Sequence, residues 1–509
     1  MESNRLKVII CFPPLNSEKG WPTLGQNRQF QYFKEPTYIY PVVPAQAATL
    51  LKKGGFEVKW LDCIAEGINH PQFLQIIKEE KPDVVAMETK TPVIKQQWRI
   101  IDELKSQNEK LKTVFFGDHV TALPEESFEN SKVDFVLTGG DYDFLLLNLC
   151  QALQKSNSIP NTHDSILSLE PGIYYREGEK IKNTGPFKLN HDLNSLPFID
   201  RELTKWQLYA YKNGNYRRTP GTYIMSGRDC WHRKNGGCTF CSWTTLYPQF
   251  NVRKTDNVLD EIEYLVDNYK VKEIMDDTGT FPVGGWLLDF CQGMINRGLN
   301  KKVTLDCNMR FGAVDYQGYK LMRKAGFRFL LFGIESANQK TLDKLNKDLD
   351  RDTIVQSCKA AHKAGLYPHV TIMFGHPWES YQQAKETLEL GKWLLKKGYA
   401  YTMQATIVIP YPGTPLFKEC KSKDLLYSLD WSDYDMKKPM MKLSFPAAKL
   451  LKLVQGMYSV SFSPEFIFRK ILSIRGVDDI RYFWRAFLKV IGHIMDFKKK
   501  KGKSGKKNK

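Results

Sequence analysis

The chain has 509 residues and a formal net charge of +18, and 42% of its residues are hydrophobic. This length predicts about three domains at roughly 150 residues each. Eight lysines lie between Lys498 and Lys509, so much of the excess charge belongs to one short segment. No basic recognition helix is evident elsewhere, and nucleic acid is therefore not the expected partner.

The composition also bears on location. No apolar run approaches the roughly 18 residues that a membrane span requires, and the first residues predict no signal peptide. Ten cysteines are too sparse for a disulfide scaffold in a chain of this length. Because three of them cluster, we expect a metal site in a reducing cytoplasm.

Short apolar runs alternate with helical patterns through residues 1–160, the first predicted domain. The predicted strands are Leu6–Phe12, Phe56–Leu61, Asp83–Met87, Thr113–Phe116 and Asp134–Leu137, and the predicted helices are Pro44–Lys53, Pro71–Lys81, Ile94–Asn108 and Tyr142–Gln154. Strands that are apolar on both faces and alternate with helices indicate a doubly wound parallel sheet of Rossmann-like type. Neither G-x-G-x-x-G nor a P-loop occurs there, so a dinucleotide or ATP is not the favoured ligand.

Residues 161–215 are rich in Pro, Asn, Ser and Gly and predict a linker with a few short strands. A second βα series fills residues 216–420. Its predicted strands are Thr222–Ser226, Glu273–Asp276, Val303–Cys307, Phe329–Gly333, His369–Phe374 and Thr402–Ile409, separated by helices at Asp256–Asn268, Trp286–Asn296, Tyr316–Ala325, Asp352–Ala364 and Tyr381–Lys397. Six βα units predict a parallel β/α barrel, full or partial, with its chemistry on the loops after the strands.

Each of these strands is followed by residues that could take part in chemistry. In chain order the loops carry Gly227-Arg228-Asp229-Cys230, Asp276-Asp277-Thr278, Asn308-Met309-Arg310, Gly333-Ile334-Glu335-Ser336, Gly375-His376-Pro377 and Pro410-Tyr411-Pro412-Gly413-Thr414-Pro415. Cysteines, acids, an arginine and glycines therefore share one predicted rim of the barrel.

Cys230, Cys238 and Cys241 place three thiols on the first of these loops. A four-iron cluster that only transfers electrons normally takes four cysteines, whereas three leave one iron open to the amine and carboxylate of a cofactor. A zinc knuckle completed by Cys307 or His232 is the alternative. A further alternative is three unrelated buried cysteines, which the close spacing disfavours. His232 by itself fits a loop residue better than a ligand.

The sequence resembles the radical S-adenosylmethionine (radical SAM) superfamily, and within it the branch with an N-terminal cobalamin-binding domain, over roughly residues 5–420. Cys238-Thr239-Phe240-Cys241 matches the second half of the family's cluster motif, including the aromatic residue before the last cysteine. The resemblance implies a [4Fe–4S] cluster on the three cysteines. The family usually has three residues between the first two cysteines, but seven separate Cys230 from Cys238 here. We expect this insertion to loop out without displacing the sulfurs, although it leaves the subfamily, and so the substrate, undefined.

The resemblance also implies a set of residues that bind S-adenosylmethionine: Phe240, Asp277, Arg310, Glu335 and Ser336. The stretch that ends in Glu335-Ser336, followed by Leu345-Asn346-Lys347, is similar to the family's fourth-strand signature, whose glutamate helps to hold the cofactor. Arg310 matches an arginine after the third strand, whose guanidinium can pair with the methionine carboxylate. Asp277 belongs to an acidic pair after the second strand. The alternative for these charged residues is a set of salt bridges on the barrel rim.

The first domain resembles the cobalamin-binding domain of that branch more loosely. Residues 117–125 resemble the loop that faces cobalamin, and Gly139-Gly140-Asp141 stands where relatives tend to carry Gly-Glu-Gly-Glu. The implied cobalamin residues are Asp118, His119, Val120, Thr121, Gly139 and Gly140. The Asp-x-His-x-x-Gly arrangement that gives some cobalamin proteins a cobalt-binding histidine is absent, which fits this branch. A domain that has lost cobalamin is the alternative.

What the resemblance implies about function is reductive cleavage of S-adenosylmethionine to a 5′-deoxyadenosyl radical, followed by cobalamin-dependent methyl transfer to an unactivated carbon. An external electron donor of the flavodoxin or ferredoxin type is implied as well. The alternatives are an oxidation or ring closure without net methylation, and a non-enzymatic basic protein that binds nucleic acid or membrane. The methylthiotransferases that act on transfer RNA fit poorly, because Cys11 and Cys63 lack a third cysteine after the third strand, which ends in Met87-Glu88-Thr89.

The last predicted regions are a helical one, residues 421–497, and the lysine-rich tail, residues 498–509. Within Phe466–Phe497 apolar residues recur at helical spacing, and the lysine run follows at once. One interpretation is a helix packed on the barrel with a solvated tail. The other is an interfacial helix with a polybasic anchor, which suggests peripheral membrane contact and a small or lipid-like substrate.

Overall fold

Two sheets that are largely or wholly parallel follow one another in the computed structural model. It describes residues 5–23, 30–34, 36–156, 169–213, 216–474 and 476–484. Many of the strands are buried on both faces, as the apolar runs predict; Val84–Thr89, for example, is buried at every residue.

The N-terminal part of the described chain has nine strands. In chain order they are β1 (Lys7–Phe12), β2 (Trp21–Pro22), β3 (Tyr32–Phe33), β4 (Glu57–Asp62), β5 (Val84–Thr89), β6 (Lys112–Gly117), β7 (Phe135–Leu137), β8 (Ile173–Glu177) and β9 (Lys180–Asn183). Strands β2 and β3 pair with each other, and the other seven form one sheet in the order β4-β1-β5-β6-β7-β8-β9. The helices on its two faces and edges are Val42–Lys53, Cys63–Glu66, His70–Glu80, Ile94–Gln107, Asp118–Ala122, Glu126–Asn130 and Tyr142–Ser156. Strands β4, β1, β5, β6 and β7 of this sheet pair in parallel. The Rossmann-like prediction is therefore confirmed.

One difference concerns the predicted linker. Strands β8 and β9 lie within residues 161–215, yet they extend the first sheet by antiparallel pairing. The sequence there is polar because β9 is an edge strand that faces solvent, so its alternation signal is weak.

The next part of the described chain has eight strands. They are β10 (Gly221–Ile224), β11 (Gly227–Arg228), β12 (Asn251–Val252), β13 (Glu273–Asp276), β14 (Thr304–Met309), β15 (Phe327–Glu335), β16 (Tyr367–Phe374) and β17 (Thr402–Ile407). Strands β11 and β12 pair with each other, and the other six form a second, parallel sheet in the order β10-β13-β14-β15-β16-β17. Outer helices connect them: Thr255–Tyr269, Gly285–Asn296, Tyr316–Lys324, Gln339–Lys344, Arg351–Lys363 and Tyr381–Lys397. Because the order is linear, the described strands form a partial barrel.

Local sequence explains where these helices begin and end. Tyr381–Lys397 starts after Ser380, whose side chain accepts a hydrogen bond from the Gln383 amide while the Gln383 side chain bonds back to Ser380. It stops at Gly398, whose φ of 78° suits glycine. A capping box at one end and a left-handed glycine at the other fix the helix bounds.

The two sheets meet where the carboxyl edge of the first approaches the opening of the second. Arg228, in β11, donates hydrogen bonds to Asp141 at 2.6 Å and to Asp143 at 2.6 and 3.0 Å, and all three side chains are buried. Gly140 follows β7 and donates its amide to the carbonyl of Leu246, at the end of the short helix Trp243–Leu246. A buried ion pair and a backbone bond thus join the domains beside the cysteine loop.

The remaining helices are Gln207–Ala210 before the barrel and, after it, Pro415–Ser422, Ala447–Gly456 and Pro464–Leu472; residues 477–484 are also helical. The predicted tail Lys498–Lys509, and the part of the predicted C-terminal helix after Trp484, lie outside the described residues. In the part of the chain that the structure describes, no helix combines the length and apolarity needed to cross a bilayer.

Candidate functional site

A cavity of about 270 Å³ opens at the carboxyl end of the barrel strands. Its walls include Cys230, Cys238, Cys241, Phe240, Asp277, Asn308, Arg310, Glu335 and Lys347. The three cysteines and four of the five residues predicted to bind S-adenosylmethionine therefore line one space. This is the rim on which parallel barrels carry their chemistry.

The loop that carries the cysteines is held in shape by its own charged residues. Asp229 has a φ of 76°, and its carboxylate accepts two hydrogen bonds from Arg233, at 2.6 and 2.9 Å. Arg233 belongs to the 3-10 helix Trp231–Asn235, which is followed by Gly236 with a φ of 86°. The bidentate pair and the glycine close the extra residues into a tight turn.

Asn346 fastens this turn to the loop after β15. Its side-chain amide donates to the carbonyls of Asn235 at 2.7 Å and Gly237 at 2.8 Å. Its own carbonyl lies 2.7 Å from His232 Nε2. The insertion is therefore folded beside the cavity, and the side chain of His232 is engaged by backbone, as expected of a loop residue.

The thiols contact polar neighbours. Cys230 Sγ lies 2.8 Å from Thr280 Oγ1, and Arg310 Nη1 is 3.8 Å from Cys238 Sγ. Cys307, the residue suggested to complete a zinc knuckle, is fully buried in β14, and burial raises the pKa of its thiol. It is not among the residues that line the cavity, so the zinc knuckle through Cys307 has no support.

Glu335 and Lys347 form an ion pair on the cavity wall. Lys347 Nζ donates to Glu335 Oε1 at 2.6 Å, and both side chains are about nine-tenths buried. A register shift in β15 between Gly333 and Glu335 gives Glu335 a φ of 63°, a strained conformation of the kind found at functional sites. Arg310 donates to the backbone carbonyl of Lys347, so three charged groups are held together.

The two aspartates after β13, Asp276 and Asp277, have different roles. Asp276 is buried and binds the backbone of Ser226 and Thr278, so it fixes the turn. Asp277 lines the cavity, 3.4 Å from the Asn308 side-chain amide. Only the second of the two acids is placed to reach a ligand.

Ser336 is turned away from the cavity. Its hydroxyl donates to Glu379 at 2.6 Å, and the residue is fully buried. The fifth loop likewise stays behind the wall, where the buried ring of His376 stacks on Trp378. These residues support the rim without reaching the cavity.

The residues predicted for cobalamin lie together at the carboxyl edge of the first sheet. Asp118, His119, Val120 and Thr121 belong to the short helix Asp118–Ala122 after β6, and Thr121 Oγ1 accepts from the Gly139 amide at 3.1 Å. His119 is buried between Thr91 and Glu126. None of the predicted set lines the 270 Å³ cavity.

The two glycines of the set are required by packing. A Cβ on Gly140 would lie 1.9 Å from the ring of Tyr247, and one on Gly139 would lie 2.4 Å from Phe187. At the same edge Asp118 Oδ1 is buried without a hydrogen-bond partner among the described residues, while Lys90 Nζ is 3.5 Å from Asp118 Oδ2. A buried carboxylate oxygen of this kind is normally satisfied, and an amide group of a corrin side chain is a suitable donor.

Comparison with known protein families matches one range in each sheet-containing part of the chain. Residues 225–391 match the sequence profile of the radical SAM superfamily, and residues 37–144 match that of the B12-binding domain. The chain therefore carries a radical SAM domain. A B12-binding domain precedes it, which is the combination of domains predicted from the sequence.

Three similar proteins illustrate this branch. An uncharacterized methyltransferase of Pyrococcus horikoshii is 26% identical over 478 residues, 92% of this chain and 96% of the relative. The anaerobic magnesium-protoporphyrin IX monomethyl ester cyclase of Cereibacter sphaeroides is 27% identical over 78% of this chain, which spans 63% of that relative's length. The structure of the radical SAM methyltransferase TsrM from Kitasatospora setae, with cobalamin and a [4Fe–4S] cluster bound, superposes with a TM-score of 0.65 at 13% identity, over 97% of this chain and all of that one.

The donor set fits an iron–sulfur cluster better than a single metal ion. A tetrahedral zinc ion needs every thiolate about 2.3 Å from one point, and among the described residues no three Cys, His, Asp or Glu side chains converge in that way. The three cysteines nonetheless line one cavity. A cluster takes one thiolate on each of several irons, so its ligands are spread more widely.

Sequence reasoning missed one residue at the site and one beside it. Lys347 lies in the segment similar to the fourth-strand signature, but the sequence analysis predicts no role for it, although its position after the helix that follows Glu335 is a usable signal. Arg228 stands two residues before Cys230, and nothing in the sequence indicates that its partners lie in the other domain.

Proposed function

We propose that the protein is a radical SAM enzyme in which Cys230, Cys238 and Cys241 hold a [4Fe–4S] cluster, and that it acts as a cobalamin-dependent methyltransferase on an unactivated carbon. The observation that carries the proposal is the shared cavity of three cysteines and the group Arg310, Glu335 and Lys347. When bound, the cluster supplies the electron that splits S-adenosylmethionine into methionine and a 5′-deoxyadenosyl radical, and cobalamin supplies the methyl carrier.

The chain's own residues bind and orient S-adenosylmethionine in this proposal. Arg310 offers a planar guanidinium for the methionine carboxylate. Glu335 and Asp277 offer carboxylate oxygens for ammonium or hydroxyl groups, and Phe240 offers an apolar wall. Ser336, through Glu379, positions the loop that follows Glu335.

Asp118, Thr121 and the backbone beside Gly139 and Gly140 form the proposed cobalamin contact. The buried Asp118 oxygen supports it, and so does the match of residues 37–144 to the B12-binding domain. His119 and Val120, also in the predicted set, are buried in the same short helix, and the His119 ring contacts Thr91 and Glu126, so in this proposal they hold the loop in place.

A second candidate reaction is a cobalamin-linked oxidation or ring closure without net methylation. The similarity to the magnesium-protoporphyrin cyclase favours it. Both reactions use the same site and the same cleavage of S-adenosylmethionine, so the fate of the methyl group distinguishes them.

Three kinds of partner belong to the proposal. The substrate is a small or lipid-like molecule, and the reductant is a flavodoxin-type or ferredoxin-type protein. We also propose that the protein is peripheral on a membrane through its C-terminal region.

The experiment is anaerobic purification followed by analysis of metal and products. We expect about four irons and four sulfides per chain, and 5′-deoxyadenosine after reduction with S-adenosylmethionine. Cys238→Ala should lose both, whereas Cys358→Ala, in the helix Arg351–Lys363, should keep both. Stoichiometric zinc without labile sulfide contradicts the proposal.

Incubation of the reduced protein with methyl-labelled S-adenosylmethionine and cell extract distinguishes methyl transfer from oxidation or ring closure. Label found in a product other than methionine supports methyl transfer. A product that forms in step with 5′-deoxyadenosine but carries no label supports oxidation or ring closure.

A further inference from the structure

The C-terminal segment, by which we mean residues 464–474 and 476–484, covers the amino-terminal end of the barrel. Lys470 Nζ donates to the carbonyl of Tyr401 at 2.6 Å and lies over the Tyr401 ring. Arg217 forms a buried ion pair with Asp479, and Tyr482 is buried. Tyr401 directly precedes β17 and Arg217 precedes β10, so these contacts lie at the end of the barrel opposite to the cysteines.

The same segment carries apolar side chains that are exposed. Seven large hydrophobic side chains in it are between 45% and 64% exposed: Ile467, Phe468, Ile471, Leu472, Val477, Ile480 and Trp484. Within the helix Pro464–Leu472, and again within residues 477–484, they recur at helical spacing, so each set lies along one side of its helix. Single exposed apolar residues are ordinary, but a concentration of them in one segment indicates an interaction surface. We call these seven residues the apolar face.

A cationic rim adjoins the apolar face. Arg469 is exposed between Phe468 and Lys470, and its guanidinium packs against Gly398, where a Cβ would lie 2.4 Å from Nη1. Lys396 and Lys397, directly before that glycine, are exposed as well. Two separate elements therefore place positive charge beside the apolar face.

The last residues of the sequence add further positive charge. Residues 498–509 contain eight lysines, and the other four are Gly, Ser and Asn. Such a stretch offers a partner positive charge and nothing apolar. An extended anionic surface is the partner that this chemistry fits, at roughly 1 kcal/mol for each lysine near it.

We propose that the amino-terminal end of the barrel is the face that binds an anionic membrane. The apolar face enters the headgroup region, the rim of Arg469, Lys396 and Lys397 lies on the phosphates, and the cofactor cavity points away from the bilayer. This deepens the proposed membrane contact by naming its surface and orientation. It also separates the contact from the substrate, because the cavity opens at the other end of the barrel.

The test is co-sedimentation of the full-length protein with phosphatidylcholine vesicles, with and without phosphatidylglycerol, across a salt series. The variant F468S/W484S removes two side chains of the apolar face, and we expect the vesicle partition coefficient at high salt to fall about tenfold or more. The control Leu288→Ser removes an equally exposed leucine from the helix Gly285–Asn296 and should leave binding unchanged. Deletion of residues 498–509 should weaken binding mainly at low salt, because screening affects charge and not apolar burial.

Hydrogen exchange of vesicle-bound protein tests the orientation. We expect protection within residues 464–484 and none in residues 230–241. Failure of the full-length protein to bind at any salt overturns the inference, and so does equal binding by F468S/W484S. A dimer that this variant converts to a monomer, or an apolar face already protected without vesicles by residues 485–497, assigns the face to another occupant and also overturns it. Formation of 5′-deoxyadenosine by the same variants is scored separately, so loss of membrane binding cannot be mistaken for loss of the proposed activity.

Discussion

Lys347 Nζ lies 2.6 Å from Glu335 Oε1, and the two side chains share a wall with the cysteines. The strand that ends at Glu335 and the loop that carries Lys347 are 12 residues apart, so the pair fixes the relation of one to the other. Arg310 binds the carbonyl of Lys347 and not its side chain. The ion pair can therefore be changed without removing the anchor of Arg310.

Removing the lysine should destabilise the protein strongly. Lys347→Met leaves the Glu335 carboxylate buried without its cation, which typically costs about 3–5 kcal/mol. The double variant K347M/E335Q removes both charges and should recover much of that loss. Urea unfolding of the wild type and the variants measures the effect; a double variant no more stable than Lys347→Met would show that the pair is not the cause.

Gly333→Ala should weaken S-adenosylmethionine binding with a smaller effect on stability. A Cβ there would lie 2.1 Å from Glu335 Oε1 and 2.8 Å from Lys347 Nζ. Both atoms are ends of side chains that can move, so the pair shifts instead of the backbone. Equilibrium dialysis with S-adenosylmethionine measures the loss. The control is Gly285→Ala, where a Cβ meets nothing within 4 Å; equal affinities in the two variants would contradict the prediction.

Arg228→Met should destabilise the junction between the domains. It leaves Asp143 buried without its cation, while Asp141 keeps only His191, and removing one partner of a buried ion pair costs about 3–5 kcal/mol. Arg297 is the matched control, because it also pairs with several acids but those acids are largely exposed, and exposed pairs contribute about 1 kcal/mol or less. Urea unfolding should therefore separate Arg228→Met from Arg297→Met, and equal losses would show that burial of the pair is not decisive.

Stability should fall as the pH rises through about 9 because of His191. Burial lowers the pKa of His191, but hydrogen bonds to Asp141 and Glu170 outweigh it and raise the pKa from 6.5 to about 9. The folded state then binds the proton more tightly than the unfolded state, so this stabilisation is complete below pH 6.5 and disappears above pH 9.

The variant His191→Gln isolates this contribution. The difference in unfolding free energy between wild type and variant should shrink by roughly 2–3 kcal/mol between pH 6 and pH 9.5. Urea unfolding at several pH values gives that difference. A difference that stays constant over this range would mean that the protonation of His191 is not linked to folding.

Much of the fold could be predicted because most strands of both sheets are parallel and buried. Each predicted strand of the barrel overlaps the observed one, and Glu273–Asp276 and Tyr381–Lys397 agree at both ends. Apolar runs separated by amphipathic helices leave few other interpretations. Strands β8 and β9 are harder to predict, because β9 is a polar edge strand and β8 is only partly buried. The boundaries at residues 160, 215 and 420 stay predictions.

The candidate site was predictable for residues whose position in the chain also determines their position in the fold. Residues that directly follow parallel strands meet at one rim, so Asp277, Arg310 and Glu335 could be grouped from the sequence. The partners of Arg228 and Asn346 could not, because they depend on how distant loops and domains pack. Ser336 shows the limit within a single loop: it follows Glu335 directly, yet it points to the other side of the wall.

Asn346 explains how the longer spacing between Cys230 and Cys238 is accommodated. Its amide holds the carbonyls of Asn235 and Gly237, so the residues between Cys230 and Cys238 are secured by a side chain that lies more than a hundred positions away in the chain. A search that demands a fixed number of residues between the first two cysteines would discard this protein. A search that instead looks for a distant amide donor facing the cysteine loop would recover it, along with any relative whose loop has grown in the same place.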